Sequence, residues 1–214
     1  MIAARLYRDD REIDDRLRDF GVSREELIEV ARAVVAARAD AVADDPASAE
    51  GLFAYIYGTR ALRGAFRAHG WHRHREDNVE SVLHPDRALK VIYQSVDMAA
   101  DWMHSPRAIS GKGSGADRMI SAAQGTLFSE DDLRAVAKAP VEEMNTGAWF
   151  FCVSVEGEDV RAELSLPIGV ARGNFDGFIE RIFIVRPGEW ATLHVARDDR
   201  DGDAAEFEPV ISRK

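Results

Sequence analysis

Three arginines and a histidine-rich stretch are the side chains here whose types and spacing best fit a chemical task, the holding of an anion. Arg60, Arg63 and Arg67 stand at i, i+3 and i+7, so a helix through them presents all three on one face. Like charges at that spacing repel one another. A phosphate seated across them offsets the repulsion, because the planar guanidinium fork matches its oxygens; the chain's own carboxylates are the competing partners. A few residues on, His72-Arg73-His74-Arg75 alternates imidazole and guanidinium. On a strand, His72 and His74 share one side. His69 and His84, with Asp77 and Glu80, supply further metal-ligand atom types. There is, however, no cysteine pair and no His-Glu-x-x-His helix, so a titratable basic strand is the better reading and no metal site is assigned.

The segment Ile109-Ser110-Gly111-Lys112-Gly113-Ser114-Gly115-Ala116-Asp117-Arg118 is the nearest approach to a phosphate loop. Gly111 and Gly113 allow backbone amides close to an anion, Ser114 offers a hydroxyl, and Lys112 and Arg118 offer charge. A Walker A loop it is not. That motif needs glycine where Pro106 stands and serine or threonine where Gly113 follows Lys112. Acid pairs at Asp97 and Asp101, or at Asp159 and Glu163, have the atoms for metal-dependent hydrolysis, with Lys90 on a preceding strand, but no diagnostic spacing. Ser110 and Ser114 lie in no Gly-x-Ser-x-Gly elbow. Trp71, Tyr93, Trp102, Trp149 and Trp190 are expected mostly in the core or sheet, with Trp71 and Trp102, within the basic block, as alternative stacking surfaces, whereas Tyr55 and Tyr57 are expected to pack inward.

The elements that must position these residues read as helices first and strands later. A short helix is expected over about residues 10–19, ended by Gly21. Ser23 with Glu26 forms a capping-box pattern that opens a second helix running to about Val42. Ser48 opens a third, with Phe53, Ile56, Leu62 and Phe66 on its apolar face and Gly70 beyond its end. Strands are expected over about 71–75, 79–83 and 88–96, and a loop over 101–116. Helices are then expected to start near Ala116 and Ser129. Later strands are expected over 149–155, 160–166, 178–185 and 190–196, with Phe207–Ile211 pairing back. In 160–166, Val160, Ala162, Leu164 and Leu166 alternate with Arg161, Glu163 and Ser165, the pattern of a half-exposed strand. The fold class is therefore α+β, N-terminal helices followed by a mainly antiparallel sheet. One domain over 1–214 is expected, helical to about 70, mixed over about 71–140 and β-rich from about 145.

Charge bears on the partner. The chain has 214 residues and a formal charge of −10. Residues 1–50 carry 8 basic and 13 acidic side chains, 51–125 carry 10 and 7, and 126–214 carry 10 and 18. Five of the six histidines also fall in the middle block. An acidic whole argues against indiscriminate nucleic-acid binding, but a local basic patch acts alone, since charge is felt over only about 8 Å at physiological salt. The single cysteine, Cys152, lies in the apolar run Ala148–Val153 and is expected to be a buried free thiol. With no signal-peptide stretch and no apolar run long enough to span a bilayer, a cytoplasmic protein is expected. Together these features point to a non-enzymatic binding or adaptor protein. Its partner is an anion, nucleic acid first and a phosphorylated small molecule second. The alternatives are a metal-dependent phosphodiester hydrolase and a structural subunit docking on a protein; no cofactor is implied.

Overall fold

The computed structural model describes residues 4–109, 147–171 and 173–193. Its elements run β1 (Arg5–Tyr7), α1 (Asp10–Leu17), a 3-10 turn (Arg18–Phe20), α2 (Arg24–Ala39), α3 (Ala49–Arg67), β2 (His72–Glu76), β3 (Val79–Leu83), β4 (Leu89–Ser95), β5 (Gly147–Glu156), β6 (Asp159–Pro167), β7 (Val170–Ala171), β8 (Asn174–Phe175) and β9 (Phe178–Val185). The fold is α+β: N-terminal helices, then a seven-stranded mixed, mostly antiparallel sheet in the order β1-β9-β6-β5-β4-β3-β2. The pairs β1–β9 and β4–β5 are parallel and the rest of that sheet is antiparallel.

Local chemistry accounts for the helix starts. Asp9 caps α1 by accepting the Arg11 amide. At α2 the capping box is complete: Glu26 N–H donates to the Ser23 hydroxyl, and the Glu26 carboxylate accepts from Ser23 N–H at 2.8 Å. Gly21, at φ 71°, ends the 3-10 turn in the left-handed region that glycine enters without penalty. Ser48 holds the N-cap position of α3, yet its hydroxyl makes no capping bond.

All three helices cover one face of the sheet. Leu17, Leu27, Val34, Leu62 and Phe66 meet Leu89, Val91, Trp149, Phe151, Leu164 and Ile182 in a continuous core. Burying each such side chain contributes about 1.5–3 kcal/mol. Two ion pairs hold β9, one on each face. Toward the helices, Arg16 holds the Glu180 carboxylate and Asp19, its guanidinium about 5 Å from the Phe20 and Trp149 ring centres. Burial pushes the Glu180 carboxyl above the usual carboxylate range, and Arg16 pulls it back.

The opposite face corrects the half-exposed reading of residues 160–166. Glu163 and Ser165 are fully buried. The loop between β4 and the bridge at Ala108, together with the β7–β8 pair, packs over Phe150, Cys152 and Ile92. Arg181 donates to both Glu163 oxygens at 2.9 and 2.6 Å, and the carboxylate also accepts from Ser165 Oγ and from the Ala100 amide. A polar strand face was visible in the residue types, but not the chain segment that covers it. The expected strand at 190–196 is corrected over 190–193, where Trp190 begins a helical turn with Leu193 N–H donating to the Glu189 carbonyl; 194–196 lie outside the described residues. β1, which pairs with β9, has too few residues to show a period. The helices expected near Ala116 and Ser129, and the strand at Phe207–Ile211, lie outside the described residues.

Candidate functional site

Helix α3 lies across β2, β3 and β4. Its arginine face therefore meets the end of the sheet. Arg63 is drawn inward: it bonds the Glu80 carboxylate, the His74 carbonyl at 3.1 Å and the Ser81 carbonyl at 3.4 Å. It is a structural tie between α3 and the β2–β3 hairpin before it is anything else. Arg60 and Arg67, one turn to either side, are exposed. Arg60 stacks over the Tyr57 ring at 4.7 Å, and Arg67 has no partner among the described residues.

Register decides which β2 residues join them. Asp77 and Asn78 both take positive φ, 50° and 63°, making the two-residue turn that closes the hairpin. Arg73 is then opposite Val82, which is opposite the fully buried Val91 of the helix-covered core. Cross-strand neighbours share a face, so Arg73 and Arg75 are on the same side of the sheet as α3. Arg75 reaches the other oxygen of Glu80 at 3.4 Å and donates to Asn78 at 3.0 Å. Arg73 is exposed, with no partner among the described residues. Arg63 from α3 and Arg75 from β2 thus converge on the Glu80 carboxylate, and Arg60, Arg67 and Arg73 stand on the same two elements. Tyr55 stands beside them, about two-fifths exposed. Burial and the Glu80 charge push its phenol up, while Arg63 and Arg75 pull it down.

His72 and His74 are on the opposite face. The register therefore divides the sequence-predicted set instead of uniting it. His74 bonds Ser81 Oγ at 3.1 Å, and burial together with the Lys90 charge holds its imidazole below the usual histidine range. It is neutral near pH 7 and offers an anion no charge. The other histidines of the block disperse. His69 meets Glu26 at 2.7 Å, His84 meets Arg87 and the Trp71 edge, and His104 faces Asp97 at 3.3 Å. Among the described residues, no group of three or more His, Cys, Asp or Glu side chains is placed to hold a metal ion. Asp97 accepts the Met98 and Arg107 amides, and Asp101 those of Met103 and His104. Both carboxylates act as loop formers. Gly111, Lys112, Gly113, Ser114 and Arg118 lie outside the described residues.

The aromatic expectations divide. Trp71 is buried, its indole N–H donating to the Phe20 carbonyl at 3.1 Å, so it is a core residue. Tyr55 and Tyr57, expected inside, are about two-fifths exposed on α3. Leu52, Tyr55, Ile56, Arg60, Arg63 and Arg67 follow one another on adjacent turns, so α3 presents a surface that is apolar toward its start and cationic toward its end. Reasoning from sequence left Arg73 and Arg75 out of the site; their alternation with His72 and His74 was the available signal, lacking only the knowledge of which side faces the helix.

Comparison with known protein families, characterised proteins and solved structures finds no match to this chain. Among the described residues, no helix is long and apolar enough to cross a membrane.

Proposed function

We propose that this chain is a binding protein for single-stranded nucleic acid, without catalytic chemistry of its own, and that its contact surface is the C-terminal half of α3 with β2. The observation that carries this reading is the placement of five arginines, Arg60, Arg63, Arg67, Arg73 and Arg75, on α3 and the α3-facing side of β2, with Arg63 and Arg75 paired to Glu80. Arg60, Arg67 and Arg73 are free to meet phosphates, while Arg63 and Arg75 hold the platform. Tyr55 and Tyr57 lie beside the cations with exposed rings, which suits stacking on unpaired bases; each stacked base contributes about 1–3 kcal/mol. The remaining acidic surface keeps contact local by repelling the strand elsewhere. Cys152, a free thiol buried in β5, fits a reducing, cytoplasmic setting.

Fluorescence anisotropy of a labelled single strand of about twelve nucleotides, titrated with protein across a salt series, tests this. Affinity falls steeply with salt. Arg67→Ala and Arg73→Ala each reduce the salt slope by about one phosphate contact, roughly 0.7 in log–log units for a single strand. Lys90→Ala, an equal charge loss on the opposite face, leaves the slope unchanged. No binding at low salt, or equal losses in all three variants, refutes the assignment.

A further inference from the structure

Between the end of α2, the start of α3 and the end of β4 lies a groove of about 660 Å³, within the range of small-molecule sites. Its lining mixes two chemistries. Leu52, Tyr55 and Ile109 supply apolar surface, and all three are unusually exposed for their type, at 53 %, 42 % and 66 %. Arg38, Tyr93 and Ser95 supply polar groups. The Tyr93 and Ser95 hydroxyls are 3.0 Å apart, so one donates to the other and the second proton remains available. Burial pushes the Tyr93 phenol up to about 12, which keeps it protonated and able to donate. Arg38 is near enough for its charge to act on that phenol, and its own partner is Glu50 at 2.6 Å, a side chain 58 % exposed.

The geometry points to a second binding site, one for a small organic acid with an apolar body and a single carboxylate. A carboxylate entering beside Arg38 takes the guanidinium fork from Glu50, whose exposed side chain returns to water at little cost. It also accepts from the Tyr93–Ser95 hydroxyl pair. The apolar body covers Leu52, Tyr55 and Ile109, removing hydrophobic surface from water. Glu50 also sets the charge that is accepted. It tolerates one negative charge competing for Arg38, and it repels a phosphate dianion more strongly. This site shares Tyr55 with the basic surface but uses none of its arginines, so the two assignments stand or fall separately.

Calorimetric titration of octanoate, 1-octanol and octylammonium into the full chain tests the assignment. Octanoate binds about tenfold or more tighter than octanol, the gain expected of a charge-assisted bidentate contact. Arg38→Gln removes that preference, and Glu50→Gln tightens octanoate binding because Arg38 then has no internal competitor. The Glu50→Gln arm keeps the test decisive if Arg38→Gln fails to fold. Octanoate binding no tighter than octanol, octylammonium binding tightest, or Glu50→Gln leaving octanoate unchanged overturns the proposal.

Discussion

Substituting Gly58 by alanine inverts the usual effect of that change in a helix. Gly58 is buried in the middle of α3, where a Cβ would stand 2.7, 2.8 and 2.9 Å from three ring carbons of Tyr93. Those separations are below van der Waals contact. The ring is 3 % exposed and its hydroxyl is tied to Ser95, so it has little room to retreat. Either α3 lifts off β4 or the ring leaves its rotamer, and overpacking of this kind costs about 1–3 kcal/mol. Alanine recovers about 1 kcal/mol over glycine in a helix interior. The net destabilisation is about 0–2 kcal/mol, or a Tm lower by up to about 8 °C for a chain of this size. Gly64 of the same helix has nothing within 4 Å of its Cβ position. Gly64→Ala therefore raises stability by about 0.5–1 kcal/mol. Urea and thermal unfolding followed by circular dichroism read both variants. In a Tyr93→Leu background the clash is relieved, so Gly58→Ala costs less there than in the parent chain. If Gly58→Ala stabilises as much as Gly64→Ala, the close approach of α3 to β4, and with it the floor of the groove, is refuted.

Two further predictions concern charge in the fold. Arg181→Met leaves the buried Glu163 carboxyl without its cationic partner, at a cost of about 3–5 kcal/mol. Because Arg181 also holds the His104 carbonyl and Glu163 the Ala100 amide, limited proteolysis near the exposed Trp102 and Met103 accelerates in that variant; Arg181→Met with Glu163→Gln recovers part of the stability. Failure of the double variant to recover any stability argues against an ion-pair origin. Stability also falls with acid. His74 and His84 are held below the usual histidine range by burial and by neighbouring Lys90 and Arg87. The unfolded chain therefore binds their protons first, and unfolding free energy declines as pH drops below about 6.5. Glu189, half-buried but held low by Arg186 and Arg24, contributes in the same direction below the ordinary carboxylate range. Glu189→Gln flattens that lower limb in urea titrations at pH 3–5, and an unchanged slope refutes the assignment.

Local patterns determine the early half of this chain well. Ser23 and Glu26 specify the start of α2 because the capping box closes within one turn of backbone. The apolar spacing of α3 and the tight turn at Asp77-Asn78 are likewise local events. The α+β class and most strand positions follow from such periods. What a period cannot carry is which partner lies across a strand. Glu163 and Ser165 alternate with apolar neighbours as exposed residues do, yet a loop from elsewhere in the chain buries them against Arg181.

The candidate sites show the same division. The shared face of Arg60, Arg63 and Arg67 is legible from a spacing of three and four, because a helix has one geometry. Tertiary structure alone decided that Arg63 is tied to Glu80, that Arg73 and Arg75 join the cationic side, and that His72 and His74 do not. That outcome depends on the β2–β3 register and on the side of the sheet α3 occupies; a slip of one residue exchanges the two sets. The groove was not legible at all, since Arg38, Leu52, Tyr93 and Ile109 come from separate elements and share no motif. Sequence determines what the chain does within a few residues; contacts between distant segments are settled only when burial of the whole core selects one packing.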